Sequence, residues 1–580
     1  MRRPLLVTML VLLGAPCAAA IKVELHGVEG DVQRNVQAFL SVERYRDRDD
    51  IDEDTANRLF NRIDGEVREA LRPFGYYEPK VGAKLEPEGK GWLIEIDITP
   101  GEPVRVRHVS VEVEGPGADD PAFVAIKAQK ALREGARLNH GTYEEVKSAL
   151  IRTAAANGYL AAKLVPNPLL VDVAAHSASI DLKLETGPRY HFGAVSIEQS
   201  VIRPALMQRY LRFHENEPYN VEQLLRTQFA LDDSLYFSTV DVTPGDADPE
   251  SLAVPVKITA LKGDTQLQLG AGYGTDTSIR GTIGWTDTRI NDRGHRFRAE
   301  INASTIRRRV NARYDIPIGD PALERFSLEG VNDYTESGGL NNNETSITPS
   351  ITRVRGKWQI VTQVSATHTT TDDGQTKTSS NLLVPGVTFA SVPEGFLGEA
   401  LFSRAFIAEL IGSQRALGSD ADFLRLHLTS ERQFDLTRKW HLLLRGELGT
   451  TLVKNFDEVP GIYRFFAGGD RSVRGFAYDS LSPQELVTNN DGTTEMKGVG
   501  GKHLIVGSVE FVRDLPWWNL AAATFFDFGN AFDHFGDKLE YAAGVGVRYR
   551  LPVVSLGLDV AKPVSTGGNL RLHLNITTKL

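Results

Sequence analysis

At 580 residues the chain is too long for one hydrophobic core, and length alone suggests about three or four domains. Hydrophobic residues make up 41% and charged residues 24%, with a mean hydropathy of −0.23. Beyond residue 20 no apolar run reaches the ~18 residues of a spanning helix, which excludes a helical membrane protein but not a β-barrel, whose faces alternate and average out polar. A formal charge of −10 spread along the chain argues against nucleic acid as a partner.

The first twenty residues read as an export signal. Arg2 and Arg3 give a basic start, residues 5–13 an apolar stretch, and Ala18-Ala19-Ala20 an A-x-A site, so cleavage is expected between Ala20 and Ile21. Cys17 is the only cysteine and would leave with the signal, so neither a disulfide nor a thiolate metal site is expected. A lipoprotein signal at Cys17 is a rival reading, which Pro16 fits poorly. The charge run over residues 43–54 reads as the solvated entrance of a helix.

Three stretches then repeat one pattern, GYYEPKV from Gly75, GYLAAKL from Gly158 and LYFSTVDV from Leu235. Each follows an amphipathic helix and opens a strand. Ala56, Leu59, Phe60, Ile63, Val67, Ala70 and Leu71 form the apolar stripe of the first helix. Val146, Ala149, Leu150 and Thr153 form the second, opened by a capping box at Thr142 and Glu145, and Val221, Leu224, Leu225 and Phe229 the third, capped by Asn220. Shorter helices are expected near residues 32–42, 122–132 and 203–211, and two strands follow each repeated phrase. The order strand, helix, helix, strand, strand resembles the POTRA (polypeptide-transport-associated) domain, although Leu235 stands where the other two copies have glycine. This divides the arm into residues 21–103, 104–189 and 190–263.

From residue 264 to 580 helical periodicity stops. Sixteen alternating segments are expected, near Gln266, Ile279, His295, Val310, Arg325, Ile347, Trp358, Leu382, Ala400, Phe423, Trp440, Lys502, Leu520, Leu539, Val553 and Asn569. An even number suits a closed antiparallel transmembrane barrel. In the last segment Leu570, Leu572, Leu574 and Ile576 share one face, and Arg571, His573, Asn575 and Thr577 the other. Sustaining a polar second face over so many strands favours a barrel over a sandwich. The fold class expected is therefore α+β repeats followed by an all-β sixteen-stranded barrel.

The connection over residues 454–501 is far longer than ordinary loops and contains FFAGGDRSVRGF, residues 465–476. Val473, Arg474, Gly475 and Phe476 suit an arginine held in a tight turn and aimed at a fixed acceptor. Alternation in the strands that follow turns Glu510, Phe525, Asp527, Gly529, Gly544, Gly546 and Arg548 inward. Two carboxylates could thus pair with one guanidinium, and the inward glycines leave room for a folded-in loop.

These motifs resemble those of the BamA/TamA superfamily of outer-membrane assembly and transport barrels. VRGF at residues 473–476 matches its long-loop signature, F-x-D-x-G at residues 525–529 its lumenal partner, and Glu510 the glutamate of the preceding strand. Three POTRA units on sixteen strands are most similar to the TamA-type members. Thr578-Lys579-Leu580 departs from the aromatic ending common in such barrels. The resemblance implies a non-enzymatic assembly or translocation factor in the outer membrane, with the N-terminal domains in the periplasm. Its partners would be a TamB-like inner-membrane-anchored periplasmic protein, client outer-membrane or autotransporter proteins and outer-membrane lipid, with phospholipid transport as a further activity. The resemblance also implies opening at a seam between the first and last strands, at Gly270, Gly272, Gly274, Leu572, Leu574 and Ile576, and the three closely spaced glycines, with little side chain for cross-strand pairing, support it. The alternatives are a gated pore and a two-partner-secretion-type exporter. No cofactor, metal or catalytic residue is expected: H-E-x-x-H and G-x-S-x-G are absent, and His573 reads as structural.

Overall fold

A computed structural model describes residues 21–578 except 47, 49–50, 89–90, 129–130, 167–168, 393–405, 489–493, 517–518 and 551–553. The export signal and Ala20 lie outside the described residues.

Three small α/β units come first. In the first, Ile21–His26 runs parallel to Gly91–Thr99, which pairs antiparallel with Lys80–Glu88. The helices Gly30–Phe39, Glu53–Phe60 and Ile63–Leu71 bury Val36, Leu59, Ile63, Val67 and Leu71 against Ile94 and Ile96. The stripe read as one helix is thus two, broken at Asn61 and Arg62, with both pieces still facing the same core. Asp52 caps the second of the three by accepting from the Thr55 N–H.

The second unit pairs Arg105–Glu114 parallel to Ser177–Glu185. Its long helix, His140–Ala156, is capped by Asn139, whose side chain accepts from the Gly141 and Thr142 N–H groups. The capping box expected at Thr142 is displaced because the helix starts two residues before it. The strand after Gly158 is reduced to the fragments Lys163–Leu164 and Leu170–Asp172; Pro166, which lacks an N–H, falls between them. In the third unit the sheet order is His191–Glu198, Ala253–Lys262, Phe237–Pro244, with helices Pro204–Gln208 and Val221–Asp232.

The repeated phrase has a conformational basis. Gly75, Gly158 and Leu235 all take positive φ, at 81°, 88° and 58°, reversing the chain after a helix. Leucine keeps the turn that glycine makes freely.

Residues 266–578 form a closed antiparallel barrel of sixteen strands. The first strand is Gln266–Gly274, the second Ser278–Asp287, the eleventh Trp440–Leu452 and the twelfth His503–Asp514. The last four are Leu520–Phe532, Glu540–Arg550, Val554–Pro563 and Arg571–Thr578. The ninth, expected near Ala400, is Phe406–Ser413, and Ala400 itself lies outside the described residues.

Burial is inverted relative to a water-soluble fold. Leu267, Ile279, Ile283, Val545 and Leu572 are exposed, whereas Asp333, Asn342, Ser346, Thr367 and Asp527 are buried. An apolar outside with every strand paired to two neighbours is the arrangement hydrocarbon demands, since an unpaired backbone group there costs several kcal/mol. At one end the turns after the second and fourth strands bind the chain just ahead of the barrel. Arg212 pairs with both Asp320 carboxylate oxygens at 2.5 and 3.1 Å, and the Tyr236 hydroxyl donates to the Gly294 carbonyl at 2.7 Å. The loop between the eleventh and twelfth strands leaves from the opposite end.

Candidate functional site

That loop folds back into the barrel. Phe465 pairs with Gly501 and Ala467 with Leu481 as isolated bridges. Phe465, Ala467, Val473 and Leu481 pack with the wall residues Leu504, Val506, Ala531 and Ala542, and Phe476 joins this cluster. Gly475 sits at φ 95°, and a Cβ there would lie 3.2 Å from the Ala542 methyl and 3.3 Å from the Pro563 nitrogen. Only glycine combines that turn with so close an approach.

The apolar contacts bring Arg474 to the wall, where it is 4% exposed. Its Nε and Nη2 donate to the two Asp527 oxygens at 2.8 and 2.9 Å, and its backbone N–H donates to Asp527 at 3.0 Å. Nη1 donates to Glu510 at 2.7 Å and to Asp559 at 3.3 Å, and Nη2 to Ser508 at 3.2 Å. The guanidinium carbon stands 3.4 Å from the Phe525 ring centroid. Arg548 closes the network, donating to Glu510 at 3.0 Å and to Asp559 at 2.5 and 3.1 Å. Burial alone would disfavour the Arg474 charge. Hydrogen bonds to Asp527, with the Asp527 and Glu510 charges, outweigh burial and hold its pKa above the ordinary value. A buried cation is tolerated because every face of it meets an acceptor or a π-face.

The inward glycines make room differently from the expectation. A Cβ at Gly544 would run into the Phe525 ring, and one at Gly546 into the Asp559 carboxylate and Arg548. They clear space for the wall side chains that grip Arg474, not for the loop itself. Gly529 lies against Ile505 and Val506. Sequence reasoning missed Ser508, Asp559 and Arg445, whose Nη2 donates to the Ser472 carbonyl at 3.1 Å.

The seam lies beside this site. Among the described residues the first and last strands share three register pairs, Gly272 with Thr577, Tyr273 with Ile576 and Gly274 with Asn575. The Thr275 N–H adds a bond to the Leu574 carbonyl, and Arg280 one to the Ile576 carbonyl, both at 3.1 Å. Gly270 and Leu572 lie in the strands but outside this pairing; they face Thr282 and Val560 in the neighbouring strands.

Across the seam, Asp276, Asp470 and His573 bring ligand-capable atoms within 4.8 Å of one another. The Gly475 N–H points at His573 Nε2 at 2.9 Å, so that nitrogen carries no hydrogen and Nδ1–H donates to Asp470. Both ring nitrogens are thereby engaged within the protein, leaving none to ligate a cation.

The residue pattern of the Omp85 superfamily domain matches residues 262–578, and that of the POTRA domain TamA domain 1 matches residues 22–100. Outer membrane protein assembly factor BamA of Nitratidesulfovibrio vulgaris is 25% identical over 163 residues, 27% of this chain and 20% of that protein. The matched stretch thus spans one fifth of that relative's length. Among solved structures, BamA from Haemophilus ducreyi lacking POTRA domains 1–3 superposes with a TM-score of 0.64 at 14% identity, covering 82% of this chain and 99% of the other. CdiB from Acinetobacter baumannii gives a TM-score of 0.46 at 14% identity, covering 82% and 90%. At such identities the structural likeness is one of fold. The barrel lies in the outer membrane, with POTRA-like domains in the periplasm. By its barrel and its first domain, the chain belongs to the Omp85 superfamily, within the BamA/TamA group of outer-membrane proteins that carry POTRA domains.

Proposed function

We propose that the protein is a non-enzymatic factor that inserts or secretes client proteins, autotransporter-like barrels among them, at the seam between its first and last strands. The Omp85 superfamily is one of membrane assembly and transport factors, which supports the coarse reading. The observation that carries the finer one is the contrast in pairing. Among the described residues the seam holds three register pairs, whereas the first and second strands share nine and the last two share eight. A joint so thinly paired is where a client strand could enter and pair with exposed backbone.

The test is a lock. Tyr273→Cys with Ile576→Cys places thiols on a register pair, and oxidation should abolish assembly of an autotransporter client in cells, with reduction restoring it. Full activity in the oxidised protein would reject the seam as the route.

The arm of α/β units is proposed to dock a TamB-like periplasm-spanning protein. Pull-down of the full-length chain from envelope extracts should retain such a partner, and its loss on deleting residues 22–100 would assign the docking to the first unit. Phospholipid transport at the same seam is a further proposed activity, read by lipid exchange between labelled vesicles in the locked and unlocked protein.

A gated pore is the second reading, favoured by a lid wedged into the lumen through Arg474. Large currents across planar bilayers from the intact protein would support it, and no current from either the intact protein or one lacking residues 465–476 would count against it.

A further inference from the structure

We propose that Asp470 latches the seam: it is a lid carboxylate that binds the first hairpin and the last strand together, so the seam parts only when the lid lets go there. The proposal rests on the reading of the seam as a route and names the residues that govern it.

The turn over residues 468–475 reaches two places at once. Its far end carries Arg474 into the wall site on strands twelve, thirteen and fifteen. Its near end presents Asp470 to the seam. There the Thr275 hydroxyl donates to Asp470 Oδ1 at 3.2 Å, and the Asp470 N–H donates to Asp276 Oδ2 at 2.5 Å. Both partners belong to the turn joining the first and second strands. From the other side of the seam, His573 Nδ1–H of the last strand donates to the same Asp470 Oδ1. One carboxylate oxygen therefore accepts from both edges of the joint.

Two further contacts fix this arrangement. The Gly475 N–H donates to His573 Nε2 at 2.9 Å, so the lid itself sets the tautomer that lets Nδ1 donate. Gly469 takes φ 103°, and a Cβ there would lie 2.7 Å from Asp276 Oδ2; a bare backbone is what allows the lid to sit against the hairpin. Among the described residues the seam has three backbone register pairs, so three side-chain and lid contacts are a large part of what joins these strands there. A charge-assisted bond of this kind contributes more than a neutral one. Because Asp470 and Arg474 lie on one short turn, with the Gly469 N–H bonded to the Val473 carbonyl, withdrawing the arginine pulls the latch as well.

Hydrogen–deuterium exchange of the full-length protein in lipid nanodiscs reads the latch directly. Asp470→Ala should raise exchange about tenfold in peptides covering residues 266–277 and 570–578, with the eleventh and twelfth strands unchanged. Asp470→Asn keeps an oxygen that accepts from His573 and Thr275 but loses the charge, and its exchange should fall between wild type and Asp470→Ala. Wild-type exchange at the seam in Asp470→Ala overturns the latch. If that variant loosens the whole barrel, Thr275→Val and His573→Ala carry the test separately: a rise confined to the seam supports the proposal. A barrel-wide rise, or none, overturns it. Failure here is distinct from failure of the route. A locked Tyr273–Ile576 barrel with full activity removes the route and leaves the latch, whereas unchanged exchange removes the latch and leaves the route.

Discussion

Arg474 and Asp527 meet through three hydrogen bonds, two from the guanidinium and one from the arginine's own backbone N–H. The carboxylate therefore fixes both the side chain and the turn that carries it.

Removing that anchor leaves Asp527, which is 0% exposed, without its main counter-charge. Arg474→Ala should cost the docked lid about 3–5 kcal/mol, the usual penalty for breaking a buried pair. Limited trypsin digestion would read this as faster cleavage in the loop, at Arg471 or Lys497, and gel migration as loss of the heat-resistant form. Arg474→Lys should rescue little, since an ammonium cannot bind both Asp527 oxygens and stack on Phe525. Unchanged protease sensitivity in Arg474→Ala would mean that the apolar cluster around Phe465 and Val473 holds the lid unaided.

Gly546 offers a test on the wall side. A methyl there would collide with the Asp559 carboxylate and crowd the Arg548 guanidinium. Gly546→Ala should destabilise the barrel by about 1–3 kcal/mol, the cost of overpacking a site that cannot relax. Gly446→Ala, where a Cβ would meet nothing within 4 Å, is the control and should unfold as wild type does. Thermal unfolding in detergent distinguishes the two.

Much of this architecture is legible in the sequence, and the reason is period two. Phe525 and Asp527 are buried while Phe526 is exposed, and a strand alone dictates that split. The ninth strand, expected near Ala400 outside the described residues, is described at Phe406–Ser413. Which lumenal groups meet Arg474 is a different kind of fact. Asp559 stands opposite Gly546 on one side and His573 on the other, and Arg445 opposite Ser508, itself opposite Asp527. These rows depend on register between strands, which turn lengths leave open. The small residues were the available signal: Gly546 vacates the space into which Asp559 and Arg548 lean.

Leu235 carries a cost that its counterparts avoid. At φ 58° a leucine backbone is disfavoured by about 1–2 kcal/mol, whereas Gly75 and Gly158 occupy the equivalent turns freely. Leu235 is also 38% exposed, so truncation forfeits little packing. Leu235→Gly should stabilise the third α/β unit by about 1 kcal/mol after the entropy glycine loses on folding. Slower hydrogen exchange in residues 221–244 would show it. Faster exchange would mean that the leucine side chain contributes packing worth more than the strain.

Acidity should tighten the lid. Burial pushes Asp479 up to about 7, resisted by hydrogen bonds from Ser337 and Tyr478 and reinforced by the Asp276 charge. Burial likewise pushes Asp276 up to about 6. Each carboxyl binds a proton more tightly in the docked lid than in the free chain, whose ordinary value is 3.8. Their stabilising effect is therefore complete below that value and is lost as pH climbs through about 6 and about 7. Asp470 acts in the opposite sense. Burial would raise it, but the hydrogen bonds from His573 and Thr275 prevail and hold it below the usual range, so its contribution is full above 3.8 and fades only in stronger acid. The net expectation between about pH 5 and pH 8 is a lid that loosens as pH rises. Trypsin is inactive at the acid end, so hydrogen exchange of residues 465–482, corrected for the intrinsic pH dependence of exchange, is the measurement. Asp479→Asn keeps a residue type that tolerates the φ of 51° found there. It should flatten most of the pH dependence and slow exchange at pH 8. A pH profile identical to wild type in that variant would move the effect to Asp276, where Asp276→Asn would then have to abolish it.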